Sequence, residues 1–292
     1  MGVSSHSVAP DDGSAAGIVL AGGRSSRMGE SKAALEWHGS TLLRRTTGLL
    51  ARTVDGPVVV VRAPGQALPA LPAGVETVDD PVEGRGPMQG IAIGLAALSD
   101  RARIAFVCST DLPFLHPAYV RRVLSALDAE VDVVLPHAGG HRQPLAAAYR
   151  TALAPVVAGM VTHGQLKLAM LFDHCRVRRI DDAGLLADPR LRALDPELDS
   201  VLNVNEPDDY RVARARPAPE ITVQRFGALA SGGKRGPTVV EAATLGAAAA
   251  AVGLPLDRHV VAALNGDQIT RDAEMPLVAG DTVAFLSADA GG

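Results

Sequence analysis

A chain of 292 residues is long enough for one large domain, or for a domain followed by a small module. Hydrophobic residues make up 47% and aromatic residues only 3%, so the expected core is substantial and built from Ala, Val and Leu. A formal charge of −4 is too mild to favour nucleic acid as the main partner, no apolar stretch reaches membrane length, and the first residues lack the basic start of an export signal.

Residues 1–16 are rich in Ser, Gly, Ala and Asp and read as a disordered extension. Residues 18–21, Ile-Val-Leu-Ala, are a short apolar run expected to form a buried strand. The run breaks into Gly22 and Gly23, where the backbone is free to take φ > 0 and to come close to a ligand. Three cations follow at Arg24, Arg27 and Lys32, with Glu30 the first acidic residue. Inward-facing N–H groups ringed by positive charge suit a polyphosphate. The competing reading is a plain strand-to-loop turn with solvated charges. Neither Gly-x-Gly-x-x-Gly nor Gly-x-x-x-x-Gly-Lys-Ser/Thr is present in this loop.

From there to about residue 214, Val/Ile-rich runs at 58–61, 104–109 and 131–136 alternate with helical stretches at 42–52, 87–98 and 117–127. This alternation predicts an α/β domain with a mainly parallel sheet and helices on both faces. Ligands of such sheets bind at the carboxyl ends of strands, where strand order reverses. Asp111 directly follows the 104–109 run and is pinned by Leu112-Pro113. A carboxylate there suits Mg²⁺ held against nucleotide phosphates, or else it caps the turn into the helix near Pro117. Asp80 opens a glycine-rich loop ending at Gly90, in which Gly86-Pro87 starts a helix whose free N–H groups face a ligand. Arg85 in that loop is either a phosphate contact or an ordinary surface charge. Asn203 and Asn205 alternate before Pro207. On a strand they share one face and both meet substrate; alternatively Asn205 caps the helix at Pro207. The two cysteines, Cys108 and Cys175, have no metal spacing and read as incidental thiols of a reducing cytoplasm, so a cytoplasmic protein is expected.

Around residues 211–220 the composition shifts to an Arg/Pro/Ala linker, and a separate unit begins. Residues 221–226 alternate like a strand, and Thr238 with Glu241 reads as a capping box opening an Ala-rich helix to Val252. Asn265-Gly266-Asp267 between short apolar runs is a hairpin signal, and 282–286 is a last strand before Gly291-Gly292. Strands around one helix suggest a small α+β module of the β-grasp type. The expected organisation is thus 1–16, an α/β domain at 17–215, a linker at 216–220 and the small module at 221–292.

The string Leu20-Ala21-Gly22-Gly23-Arg24-Ser25-Ser26-Arg27-Met28-Gly29-Glu30-Ser31-Lys32 resembles the signature loop of nucleotidyltransferases in the molybdenum-cofactor guanylyltransferase family, Leu-Ala-Gly-Gly-x-Ser-x-Arg-Met-Gly-x-x-Lys. Asp111-Leu112-Pro113 resembles that family's strand–Asp–x–Pro segment, and Asp80 with Gly86-Pro87 and Gly90 resembles its Asp…Gly-Pro-x-x-Gly segment. Where family members often carry a base-reading Asn, this chain has Val61-Arg62-Ala63. The resemblance implies a Rossmann-like domain that transfers GMP from GTP to molybdopterin with Mg²⁺ and releases pyrophosphate. It implies nucleotide binding by Leu20, Ala21, Gly22, Gly23, Lys32, Asp80, Asn203 and Asn205, catalytic roles for Arg27, Lys32 and Asp111, and metal on Asp111.

Leu277-Val278-Ala279-Gly280-Asp281-Thr282-Val283 ahead of the Gly-Gly resembles the ubiquitin-like sulfur carriers of molybdopterin and thiamine synthesis. That second resemblance implies a thiocarboxylate on Gly292, with an adenylating and sulfurating enzyme and the molybdopterin synthase large subunit as partners. The alternatives are a cytidylyltransferase for the same pterin, a sugar-phosphate nucleotidyltransferase, and a first domain that is only a scaffold for the carrier.

Overall fold

A computed structural model describes residues 14–22, 31–82, 84–230 and 236–288. The first unit is organised on strands β1 (Ala15–Leu20), β2 (Val58–Arg62), β3 (Glu76–Asp79), β4 (Ile104–Ser109), β5 (Val133–Ala138), β6 (Ala146–Arg150) and β7 (Val177–Ile180). Their spatial order is β3-β2-β1-β4-β6-β5-β7, and of these seven β6 alone runs antiparallel to its neighbours. The mainly parallel sheet expected from the sequence is therefore present. Strand β1 starts earlier than the apolar run suggests, because Ala15 and Ala16 pair with Ile104 and Ala105.

The longest helices on this sheet are α1 (Leu42–Ala51), α2 (Pro87–Leu98), α3 (Pro117–Ser125) and α4 (Ala154–Thr162). Strand side chains alternate between the two faces. Val19 and Val60 join Leu43, Leu50, Tyr119 and Val123 of α1 and α3 in one core. Ile18, Leu20, Val59 and Val61 join Ile91, Leu95, Val157 and Val161 of α2 and α4 in the other. Each fully buried Val, Leu or Ile contributes about 1.5–3 kcal/mol, so the sheet needs both layers. Gly94 sets the distance of α2 from β1. A Cβ there would lie 2.6 Å from Ile18 Cγ2, so a larger residue would push the helix away.

The chain steps outward from β1 to β3 and then returns to lay β4 on the other side of β1. Strand order reverses between β1 and β4, and their carboxyl ends open a crevice there.

After a helix α5 (Pro207–Arg214), a second unit forms its own five-stranded sheet. Its strands are β8 (Glu220–Arg225), β9 (Thr238–Glu241), β10 (Val260–Leu264), β11 (Gln268–Thr270) and β12 (Thr282–Ser287), in the order β9-β8-β12-β10-β11. The central pair β8 and β12 is parallel and the other pairs are antiparallel. One helix, α6 (Leu245–Ala251), buries Leu245, Ala248 and Ala249 against Ile221, Val223, Leu264 and Phe285. The expected hairpin is there: Leu264 pairs with Gln268 across Asn265 and Gly266, at φ 54° and 93°.

The expected capping box is not. Thr238–Glu241 is strand β9, pairing with residues 220–223, and the helix starts later. Two adjacent β-branched residues, Val239 and Val240, favour the pleated strand over a helix turn. The true N-cap is Thr244, whose Oγ1 accepts from Ala247 N at 3.3 Å.

The two units meet along α1. Arg52 pairs with Asp281 at 2.9 Å, His116 Nε2 donates to Ala279 O at 3.1 Å, and Val278 enters the first unit's core.

Candidate active site

The crevice at the β1/β4 reversal is a cavity of about 510 Å³. Leu20, Ala21 and Gly22 enter it from the end of β1, Val61, Arg62 and Ala63 from β2, and Ser109, Thr110 and Asp111 from β4. Asp80, Gly84, Gly86, Pro87 and Gly90 line the side below α2. Gly86 sits at φ 72° as N-cap of α2, a conformation that suits glycine, and Pro87 occupies the first turn. The free N–H groups of that turn make the helix end a ready anion site.

Lys32 and Asp111 face each other on the wall. Lys32 Nζ donates to Val204 O at 2.9 Å and to Asn205 Oδ1 at 3.3 Å, and lies 3.8 Å from Asp111 Oδ2. Asp111 Oδ1 accepts from Ser109 Oγ, and its main-chain O accepts from Val204 N at 2.9 Å. One carboxylate oxygen thus faces a cation while the other is held by a hydroxyl. Among the described residues no group of three His, Cys, Asp or Glu converges on a metal-sized site. A lone carboxylate suits a hard cation that arrives with phosphate oxygens. Cys108 lies beside it at the end of β4, fully buried, and burial raises its thiol far above the ordinary range, so it stays protonated.

Asp80 is fixed by its surroundings. Its Oδ1 accepts from Val82 N and from Gln89 Nε2, both at 3.0 Å, and its own N–H donates to Arg62 O at 2.7 Å. Arg62 is held by Asp79 at 2.6 Å. Arg85 is exposed and is not one of the residues lining the cavity.

Lys32, Asp80, Asp111 and Leu20 to Gly22 therefore come together, with Asn205 alongside Lys32. Gly23, Arg27 and Gly292 lie outside the described residues. Asn203 and Asn205 do not lie on a strand: residues 202–205 are irregular. Asn203 is exposed and bonds back to Val201 O at 3.1 Å. Nor does Asn205 cap α5. Glu206 is the N-cap, in a capping box with Asp209, which also accepts from Asn205 N at 3.0 Å. The backbone N–H groups of Glu206 and Asn205 hold the Asp209 carboxyl below its usual range. An acidic pair flanking Pro207 out-competed the amide for the cap.

Two glutamines escaped the sequence reading. Gln66 donates to Ala21 O and accepts from Ala63 N, each at 3.0 Å, and so ties β1's end to the loop after β2. Gln89 orients Asp80. Gln89 stands one residue before Gly90, on the first turn of a helix whose start was legible, and that position was the available signal. Gln66 sits in a Pro/Gly-rich loop and had none.

A larger cavity, about 770 Å³, opens between the two units and is lined by Arg52, Arg121, Arg190 and Asp281. It lies away from the strand reversal and from every residue of the glycine-rich loops.

A mainly parallel sheet with glycines, a fixed cation and a carboxylate at its switch point suits nucleotide phosphates, and the family and relatives it matches make the chain a nucleotidyltransferase. The chain belongs to the MobA-like NTP transferase family, whose domain matches residues 17–178 and so ends before the second unit begins. A protein of Mycobacterium tuberculosis named a probable molybdenum cofactor guanylyltransferase is 40% identical over 187 residues, spanning 63% of this chain and 89% of the relative. Its counterpart in Mycobacterium avium is 37% identical over 206 residues, spanning 69% and 96%. The fold is shared with the molybdopterin-guanine dinucleotide biosynthesis protein A of Archaeoglobus fulgidus, at a TM-score of 0.55, 22% identity and coverage of 68% and 96%. Among the described residues, no helix is long and apolar enough to cross a membrane.

Proposed function

We propose that the first unit transfers GMP from GTP to the phosphate of molybdopterin and releases pyrophosphate. The observation that carries this reading is the convergence of Lys32, Asp80 and Asp111 on one cavity at the strand reversal, in a chain whose relatives are named guanylyltransferases. A phosphate oxygen of the pterin attacks the α-phosphorus in line, the bond to the bridging oxygen breaks, and pyrophosphate leaves with the electron pair. Positioning and charge neutralisation dominate such transfers. The main chain of Leu20 to Gly22, the N-terminus of α2 and the Gln89-braced Asp80 hold the nucleotide, while Lys32, with Arg27, offsets charge on the leaving group. Asn205 orients Lys32. Asp111 would hold Mg²⁺, which neutralises phosphate charge when bound.

The second unit is read as a β-grasp sulfur carrier with its thiocarboxylate on Gly292. What supports this is the β9-β8-β12-β10-β11 order with its parallel central pair, the covering helix α6, and Gly280-Asp281 turning into β12. Its partners would be an adenylating and sulfurating enzyme and the molybdopterin synthase large subunit. Two free thiols fit a cytoplasmic setting.

The test is pyrophosphate release from the full chain with Mg²⁺ and molybdopterin, offering GTP, CTP, ATP and UTP separately. Turnover with GTP alone, lost in Asp111→Ala, is expected. Preference for CTP moves the assignment to a cytidylyl transfer, and silence with every nucleotide removes it. Incubation with an adenylating and sulfurating system, read by intact mass, is expected to exchange one oxygen for sulfur at Gly292.

A further inference from the structure

Helix α1 and its C-cap residue turn three arginines toward the second unit. Arg44 grips it at the rim, with Nη2 2.8 Å from both carboxylate oxygens of Asp272 and Nε 3.1 Å from Glu274. Arg52 pairs with Asp281. Arg45 alone of the three bridges the Asp111 turn to the second unit by hydrogen bonds, and it is buried at 5% exposure. Its Nε donates to Pro113 O at 2.7 Å, while Nη1 donates to Leu277 O at 3.3 Å and Ala243 O at 3.4 Å. Burial pulls its guanidinium down to about 10, which leaves it charged at neutral pH. Among the described residues, no carboxylate makes an ion pair with it, so main-chain carbonyls from both units share one buried charge. A buried cation is costly unless its donors are satisfied, and the Nη1 bonds to Ala243 O and Leu277 O are made only when the units are docked.

Pro113 closes the Asp111-Leu112-Pro113 turn, whose other side is fixed by Val204 N on Asp111 O. We infer that Arg45 is a positioning residue that makes the pose of the Asp111 turn depend on docking of the second unit, so that the nucleotide cavity and the second unit are energetically coupled. The inference rests on the role proposed above for that cavity. Coupling is reciprocal: whatever tightens around Asp111 strengthens docking, and whatever pulls on residues 272–281 loosens the cavity.

The experiment is hydrogen exchange on the full chain, with and without Mg²⁺–GTP, in wild type, Arg45→Gln, Arg45→Lys and the double variant Asp272→Asn/Glu274→Gln. The double variant weakens docking at the rim without altering any residue of the first unit, so it stands even where Arg45→Gln folds poorly. In the absence of nucleotide, amides of residues 111–116 and Val204 are expected to exchange faster in Arg45→Gln and in the double variant, by roughly five- to 150-fold, with β1 and α2 unchanged. Arg45→Lys, which keeps the charge but not the fork, is expected to recover part of the protection. Mg²⁺–GTP is expected to slow exchange at 272–281 in wild type. Faster exchange at 272–281 in the double variant, with residues 111–116 and nucleotide affinity as in wild type, overturns the coupling. Failure of the wild type to bind Mg²⁺–GTP overturns the assigned function instead, because the nucleotide-free comparison still reads the coupling.

Discussion

Lys32 and Asp111 stand 3.8 Å apart across the cavity, and neither is held by the other alone. The ammonium is anchored by Val204 O, and the same residue's N–H holds the main chain of Asp111. The segment before α5 thus fixes cation and carboxylate together. Both side chains remain about one-fifth exposed, at 21% and 19%, so the pair is open to a ligand.

Exposed ion pairs stabilise folded chains by at most about 1 kcal/mol, so this pair is expected to matter for turnover and little for folding. Lys32→Ala and Asp111→Asn are each expected to lower kcat/KM for pyrophosphate release by about 10²–10³-fold, with unfolding midpoints close to wild type. The double variant is expected to lose less than the product of the two, since the groups act as a unit. Steady-state kinetics beside urea unfolding tests both halves.

Asp281 presents the opposite case. Its carboxylate accepts from Val278 N at 2.8 Å and Asn265 Nδ2 at 2.9 Å and pairs with Arg52, and both charged side chains are almost wholly buried. Asp281→Ala would strand a buried guanidinium. The expected loss is about 3–5 kcal/mol in the unfolding transition of the second unit, with Asp281→Asn intermediate.

His116 makes docking sensitive to acid. Its Nδ1 accepts from Ala118 N at 3.0 Å while Nε2 donates to Ala279 O, a pair of bonds that needs the neutral ring. Burial lowers its pKa below 6.5 and Arg52 adds to this, against Ala279 O, Asp195 and Asp281, which raise it. The unfolded chain therefore binds the extra proton more readily, and stability falls as pH drops below about 6.5. Unfolding midpoints measured from about pH 5 to 8 are expected to flatten in His116→Gln.

The thiols differ in kind. Burial pushes Cys175 up to about 11, and its Sγ–H donates to Leu171 O, whereas Cys108 is fully buried. With a disulfide reagent at about pH 8, Cys175 is expected to react slowly and Cys108 only on unfolding. Prompt modification of both in the native protein would contradict the packing of β4.

The switch-point loops were legible because their chemistry is local: glycines, a lysine and an Asp-x-Pro turn occupy adjacent positions. The parallel sheet was legible from the apolar runs 58–61 and 104–109, whose central residues are buried on both faces. What escaped was set by distant chain. Thr238 and Glu241 have cap spacing, yet β8 claims them as an edge strand. Asn203 and Asn205 have strand spacing, but Lys32 and Asp209 determine how the second of them is held. Arg45 gave no signal, because its acceptors at Pro113, Ala243 and Leu277 are brought to it only by the tertiary fold.

The central position of β12 governs the order in which the protein is born. Emerging from the ribosome at about 5–20 residues per second, the first unit has strands β1 to β7 of its sheet available while the second is still being made. The second sheet lacks its middle until Thr282–Ser287 appears, since β8 and β10 do not touch except through β12. For that interval the nascent first unit carries Arg45 without Leu277 and Arg52 without Asp281. A ribosome stalled shortly before residue 282 is expected to display a folded first unit whose Asp111 turn has not yet been clamped, a state that limited proteolysis of arrested chains would reveal.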